Sequence, residues 1–223
     1  MKTKLICLLV VAVSASLTVA SPGMSQILPI PGFSLGGFFD YRVENEINSD
    51  DLSFMYYGAR LGFRDERWVE FFIDAGGESM SFEPLEDKTT GCFGLGGTFW
   101  FMRQQYGYGP FDFGLYGSVH FSDYSGVKIE GTDEKTDIKH YRYMGQLVIR
   151  AQVNEDFKVF LRGGILGTKL DPDSGLADYD DLDKIQPAVN TGVELQLVDN
   201  LIATLELNYS ESVGGAIHLD YWF

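Results

Sequence analysis

The chain is 223 residues long, 45% hydrophobic and 22% charged, with 17 basic residues against 32 acidic ones and a formal net charge of −15. That acidic excess argues against nucleic acid as a partner, and the length fits one large domain. After residue 20 no apolar stretch is long enough for a membrane-spanning helix. Entry into a membrane would therefore require a closed β-barrel, because lipid leaves unpaired backbone groups unsatisfied.

In chain order, residues 1–20 read as a cleaved secretory signal. Lys2 and Lys4 form a basic start, Leu5 to Val13 an apolar core, and Thr18-Val19-Ala20 a small-residue cleavage site. Ser21, not Cys, stands directly after that site, which argues against a lipoprotein anchor, and Cys92 becomes the one cysteine of the mature chain. An intramolecular disulfide is then excluded, and Cys92 reads as a packing residue. Losing Lys2 and Lys4 leaves 15 basic against 32 acidic residues, a net charge of −17. Residues 21–31, SPGMSQILPIP, read as an irregular periplasmic lead before a barrel domain at 32–223.

From Gly32 the chain repeats segments of about ten residues that alternate apolar with small or polar side chains. They predict strands at 32–42, 53–64, 68–77, 91–102, 111–121, 141–153, 157–168, 187–198, 201–209 and 215–223. Short links (65–67, 103–110, 154–156, 199–200) alternate with longer acidic ones (43–52, 78–90, 122–140, 169–186), and 210–214 closes the series. The expected fold is all-β: one antiparallel transmembrane barrel of about ten strands, or eight if two segments fail, with short periplasmic turns and longer acidic exterior loops.

A strand period of two separates two faces. One face carries Phe33, Leu35, Gly37, Phe39 and Tyr41, then Met55, Tyr57, Ala59, Leu61 and Phe63, then Val69, Phe71, Ile73 and Ala75. It continues through Phe93, Leu95, Gly97, Phe99 and Phe101, then Leu147, Ile149, Ala151 and Val153, then Leu201, Ala203, Leu205, Leu207 and Tyr209. None is charged, as a lipid-facing band requires. A soluble sandwich or lipocalin-like barrel would turn this face inward. Its large aromatics, and the full charges opposite, favour the membrane alternative.

The opposite face carries Arg42, Arg60, Arg64, Arg142, Arg150, Lys158 and Arg162 against Asp40, Glu70, Asp74, Asp112, Glu194, Glu206 and Asp220. Seven of each sign give a lumen able to pair its own charges, which places −14 on the longer links and −3 on the turns. Aromatics collect at strand ends: Phe33, Phe63, Trp68, Phe101, Tyr106, Tyr108, Phe111, Phe157, Tyr221 and Phe223 on the short-turn side, and Tyr41, Tyr57, Phe121, Tyr141, Tyr143 and Tyr209 on the other. Two such girdles suit headgroup level. Gly94, Gly96, Gly163 and Gly164 suit close approach and tight curvature.

The strand pattern, the N-terminal signal and the terminal Ile217-x-Leu219-x-Tyr221-x-Phe223 together resemble small bacterial outer-membrane β-barrels of the OmpA-transmembrane-domain or opacity-protein type, over Gly32 to Phe223. The resemblance implies an outer-membrane location in a Gram-negative-type envelope and a terminal strand read by the barrel-assembly machinery. No cofactor is expected, and nothing like an appended peptidoglycan-binding domain is expected either, because the barrel pattern runs to Phe223. It is nearly silent on activity.

Some barrels of this size are hydrolases. His120-Phe121-Ser122 is similar to the His-x-Ser of lipid A deacylase barrels, but in this register both side chains face inward, whereas that family's pair faces lipid. Asp123-Tyr124-Ser125-Gly126 departs from the family pattern as well. His218-x-Asp220 has the residue types of an omptin protease pair, but lies on a strand descending to the periplasm. His120 and His140 flank a long link and could approach Asp123 or Asp137; no motif fixes a nucleophile or a water. Asp171, Asp173, Asp178, Asp180, Asp181 and Asp183 cluster in one link, but the EF-hand glycine is one position early and the bidentate Glu is missing. A solvated acidic loop is the simpler reading, with divalent cations bridging it to lipopolysaccharide as the alternative.

The sequence expectation is a non-enzymatic envelope barrel with a structural or surface-interaction role and a charge-paired, plugged lumen. A narrow cation-preferring pore is the alternative and an outer-membrane lipid or peptide hydrolase the third reading. Expected partners are outer-membrane lipids and lipopolysaccharide, the assembly machinery, and divalent cations at the acidic loops.

Overall fold

The computed structural model describes residues 32–47, 50–65, 67–82, 85–104, 107, 110–129, 133–172, 182–210 and 212–223. The predicted signal (1–20) and lead (21–31) lie outside the described residues, as do Tyr106, Tyr108, Asp173, Asp178, Asp180 and Asp181. Ten strands run in sequence: β1 Gly32–Ile47, β2 Asp50–Arg64, β3 Val69–Phe82, β4 Leu85–Met102, β5 Phe111–Lys128, β6 Lys135–Asn154, β7 Phe157–Pro172, β8 Leu182–Val198, β9 Leu201–Ser210 and β10 Ser212–Trp222. Each pairs antiparallel with its chain neighbours, and β1 pairs with β10 from Ser34↔Trp222 to Tyr41↔Gly215, which closes the barrel.

Cross-strand partners give the stagger directly. The row from Leu195 on β8 passes through Ala203, Leu219, Gly37, Ala59, Ala75, Phe93, Phe121, Tyr141 and Lys169, and returns to β8 at Asp183, twelve residues from its start. For ten strands this shear implies a tilt of roughly 40° to the barrel axis. The tilt sets which rows share a height, and it brings Tyr41, Tyr57, Phe121, Tyr141, Tyr143 and Tyr209 into one belt.

Most of the proposed outward set faces outward. Phe33, Leu35, Phe39, Leu61, Phe71, Phe93, Phe99, Leu147, Leu205 and Leu207 are exposed, and so are Ile217, Leu219, Tyr221 and Phe223 at the terminus. Ala151 departs from expectation by being buried. It keeps its place in the ladder between Phe111 and Val159, where a lone methyl is overshadowed by larger partners. Gly94 and Gly96 make room for rings: an added Cβ would lie 2.3 Å from the His120 ring and 2.6 Å from that of Phe72. Gly163 has open space around it, so the close-approach reading fails there.

The larger correction concerns the long links. Most of 43–52, 78–90 and 122–140 is strand: β1 runs on to Ile47, β4 starts at Leu85, and β5 reaches Lys128 before β6 begins at Lys135. The physical reason is an inversion of the apolar face. On β5, exposed Val119 and Phe121 give way to exposed Asp123 and Ser125. On its inner side polar Ser118, His120 and Ser122 give way to fully buried Tyr124 and to Val127. Strand β6 shows the same flip, with Lys135 and Asp137 exposed and Ile138 buried. So does β2, where Leu52, Phe54 and Tyr56 point inward. Below the belt the wall is apolar outside and polar inside. Above it the wall is polar outside and apolar inside, as in a water-soluble barrel.

Candidate functional site

The lumen is filled in layers. At the turn end, Arg150 Nη2 lies 3.0 Å from Asp112 Oδ2, and its Nη1 lies 3.3 Å from both Glu70 and Glu194. Arg64 Nε approaches Glu70 to 3.2 Å, an ion-pair contact without hydrogen-bond alignment. Arg103 and Lys158 complete this layer at 3.8 Å from Glu70 and Glu194 respectively. In the middle, Arg60 grips Asp74 through two bonds of 2.7 and 2.8 Å. Arg162 pairs with Glu206, to which Asn190 also donates. Higher up, Asp40 accepts from Arg42 at 3.0 Å and from Arg142 at 3.3 Å.

A buried charge is tolerated only when paired and hydrogen-bonded. The arginines add a second compensation, since guanidinium planes stack on rings. Arg60 lies 3.9 Å from the Phe72 centroid, Arg142 3.9 Å from Tyr56, Arg150 4.0 Å from Trp100, Arg64 4.3 Å from Trp222 and Arg162 4.4 Å from Tyr116. Between these layers lies a cavity of about 170 Å³, lined by Arg60, Arg64, Asp74, Arg162, His218 and Asp220 among others.

The fourteen charges singled out from the sequence all line this interior, and thirteen have a carboxylate–cation contact within 4 Å. Asp220 has none among the described residues and keeps one buried oxygen without a hydrogen-bond partner.

Two further charges belong to the lumen although the sequence reading put them in links. Glu78 is 1% exposed and accepts from Ser122 Oγ at 2.6 Å, from the Tyr124 hydroxyl, and from His140 at 2.7 Å. Arg103 is 2% exposed and donates to the Arg67 carbonyl at 3.0 Å. One charge of each sign is thereby added, so the interior balance is kept and the charge outside it stays at −17, with the longer links at −13 and the turns at −4. The signal for Glu78 was present: Glu70, Asp74 and Glu78 share one strand face at intervals of four. Arg103 was hidden by the bulge between Trp100 and Met102, which shifts the alternation by one.

The histidines also go elsewhere than expected. His120 Nε2 lies 3.3 Å from Asp74 Oδ2, and His140 pairs with Glu78, so neither meets Asp123 or Asp137. His218 and Asp220 face the cavity, not the outer mouth. Of the aspartates in the 169–186 link, Asp171 and Asp183 are described; both are exposed, and Asp183 accepts from the Tyr143 hydroxyl at 3.5 Å. No group of three potential metal ligands occurs among the described residues.

Above the ion layers the lumen is closed by side chains. Leu52, Phe54, Tyr56, Met80, Leu85, Cys92, Tyr124, Val127, Ile138 and Leu170 form one buried cluster together with Phe38. The His140 ring stacks on Phe54 with centroids 4.1 Å apart, which joins the plug to the Glu78 group beneath it.

These features define a ten-stranded antiparallel barrel with an ionic interior under an apolar plug. No protein-family model matches the chain, and no curated protein matches it. Its shape is similar to the translocator domain of the autotransporter NalP from Neisseria meningitidis, at 12% identity and a TM-score of 0.49 over 94% of each chain. It is also similar to the attachment invasion locus protein Ail of Yersinia pestis, at 14% identity and 0.40 over 86% of this chain and 97% of that one. The transport unit of the Escherichia coli autotransporter AIDA-I gives 10% and 0.42 over 94% and 97%. All three are outer-membrane β-barrels. With TM-scores under 0.5 they carry no argument about function, and the fold rests on the ladders described above.

Proposed function

We propose that this is an outer-membrane protein of a Gram-negative-type envelope, exported through a cleaved signal, with a structural or surface-interaction role and a lumen that does not conduct. The observation that carries this reading is the apolar cluster around Phe54 and Tyr124, which fills the barrel above the charged layers. Ions crossing there would have to shed water among the Leu52, Phe54, Met80, Val127 and Ile138 side chains, which offer nothing to replace it. The uncharged outer band with aromatic belts at both ends supports membrane insertion. The terminal Ile217, Leu219, Tyr221 and Phe223, all exposed outward, support recognition by the assembly machinery. Outer-leaflet lipopolysaccharide is the proposed lipid partner of the polar wall above the belt, with divalent cations at its exposed carboxylates.

The protein is read as non-enzymatic, because His120 and His140 face buried carboxylates inside the barrel. A narrow cation-preferring pore remains the second reading, since the interior below the plug is charged and contains a cavity. Reconstitution into a planar bilayer separates the two. The plugged barrel gives no steady current, while a sustained cation-selective conductance in the untreated protein contradicts it.

A further inference from the structure

His218 and Asp220 stand two residues apart on β10, so both side chains point into the lumen, and both line the cavity between the charged layers. Each is half enclosed by the wall. Asp220 Oδ1 is buried over Gly36, where an added Cβ would collide with it, and His218 Nδ1 is buried as well. Neither atom has a hydrogen-bond partner among the described residues. Asp220 Oδ2 and His218 Nε2 are the atoms left to face the open space.

Pairing within the ladder does not hold this carboxylate. Its cross-strand neighbours are Gly36 and Ile202, which bring no side-chain donor. Arg60, one strand further on, is turned to Asp74 through two bonds, and Arg64 is turned to Glu70. A buried carboxylate without a direct partner must be solvated or give up its charge.

The composition of the lining decides what solvates it. Six arginines and six carboxylates, Asp220 included, surround the cavity, so the lining is neutral when its histidines are neutral. An ion of either sign would enter as an uncompensated charge. An uncharged molecule that both donates and accepts hydrogen bonds would not. The cavity of about 170 Å³ has room for roughly five waters, at the ~30 Å³ that each takes in the liquid. Above it the plug is dry, with Phe54 and Tyr124 fully buried. Toward the turns the inward side chains of Glu70, Asp112, Lys158 and Glu194 keep between 17% and 20% exposure, so the packing loosens in that direction.

We infer that this cavity is a binding site for a cluster of water molecules, anchored on Asp220 and His218 and filled from the turn end. Its upper boundary rests on the plugged reading of the lumen. The cluster donates to Asp220 Oδ2, keeps that group a carboxylate, and bridges it to the arginines that lie out of its reach.

Two tyrosines of the unaltered chain provide the comparison. Tyr116 lines the cavity and Tyr124 belongs to the plug. Brief X-ray radiolysis of the refolded full chain in micelles, in water enriched in heavy oxygen, turns bound water into hydroxyl radical and marks the side chains it touches. Tyr116 and His218 should take up heavy oxygen, Tyr116 about fivefold faster than Tyr124 or more, whereas in urea the two tyrosines should label alike. Silence at both Tyr116 and His218 overturns the inference and leaves the plug standing. Labelling of Tyr124 as fast as Tyr116 overturns the inference together with the dry plug. Asp220→Leu should reduce labelling of His218, and unchanged labelling there removes Asp220 as an anchor; if that variant does not fold, the comparison in the unaltered chain decides. The thermal midpoint should be the same in sodium chloride and in choline chloride at equal ionic strength. A sodium-specific rise that Asp220→Asn abolishes would place a cation on the carboxylate and overturn the water cluster.

Discussion

His140 Nδ1 lies 2.7 Å from Glu78 Oε1, and both side chains are 1% exposed. Their contact sits where the ionic interior meets the apolar plug, with His140 stacked on Phe54 above and Glu78 taking two further hydroxyl donors from β5. It ties β3 to β6 across the lumen at the level where the apolar face changes sides. Removing the acceptor strands three buried donors at once. Glu78→Leu is expected to lower unfolding stability by about 3–5 kcal/mol, with Glu78→Gln costing less. Urea unfolding in micelles, followed by tryptophan fluorescence, measures the difference; a Leu variant as stable as the parent would contradict the assigned contacts.

The Arg60–Asp74 pair offers a cleaner separation of pairing from burial. Asp74 is 1% exposed and bonded twice by Arg60, which also lies over the Phe72 ring. Arg60→Met or Asp74→Leu alone leaves a buried charge and is expected to cost about 3–5 kcal/mol. The double variant should cost distinctly less than the sum of the two singles, because neither charge is left alone. Additive losses in the same unfolding measurement would contradict a coupled pair.

The inversion of faces makes a positional prediction. Ile217 is 53% exposed in the middle of the outward apolar band, and Ser81 is exposed above the belt. In lipid vesicles Ile217→Arg is expected to cost about 2–4 kcal/mol, and Ser81→Arg about 0–1 kcal/mol. Equal costs at the two positions would remove the basis for setting the membrane boundary at the tyrosine belt.

One turn carries a pH dependence. Asp65, between β2 and β3, accepts backbone N–H bonds from Arg67, Trp68 and Val69 at 2.9, 2.6 and 2.8 Å. Partial burial opposes its ionisation, but the three donors outweigh that and hold its carboxyl below the ordinary 3.8. A depressed folded value means that the turn's contribution is fully present above about pH 4 and is lost as pH falls through the folded value. Asp65→Ala should therefore flatten the acid limb of the stability curve and leave the shape above pH 5 unchanged. A pH profile identical to the parent below pH 4 would contradict the turn's role.

The sequence made the lower barrel legible because one rule held along it: apolar residues outside, charges inside, with Phe223 fixing the phase. The ten strands and the band around Leu61 and Leu205 followed from that rule. The upper barrel was illegible for a physical reason. At Phe121–Tyr124 and again at Phe54–Tyr57, apolar residues occur on both faces within a few positions, so alternation read on one face ends there although the strand continues. One-face alternation thus predicts links, not strands, at the plug residues Leu52, Met80 and Ile138, and at Glu78. Arg103 was lost to a bulge, and the partner of each charge depended on the twelve-residue stagger, which no single strand encodes.

Cys92 gives the most direct measurement of the central claim that the barrel is closed above its charged interior. It is the one cysteine after position 20, is 7% exposed, and belongs to the plug cluster with Phe54 and Tyr124. The native barrel in lipid vesicles, treated with a small cationic thiol reagent added from both sides, should leave Cys92 unmodified for as long as the fold persists and release it on unfolding in urea. Prompt modification of the folded protein, at the rate of a free thiol in water, would mean that a hydrated path passes this point and would contradict the plugged lumen.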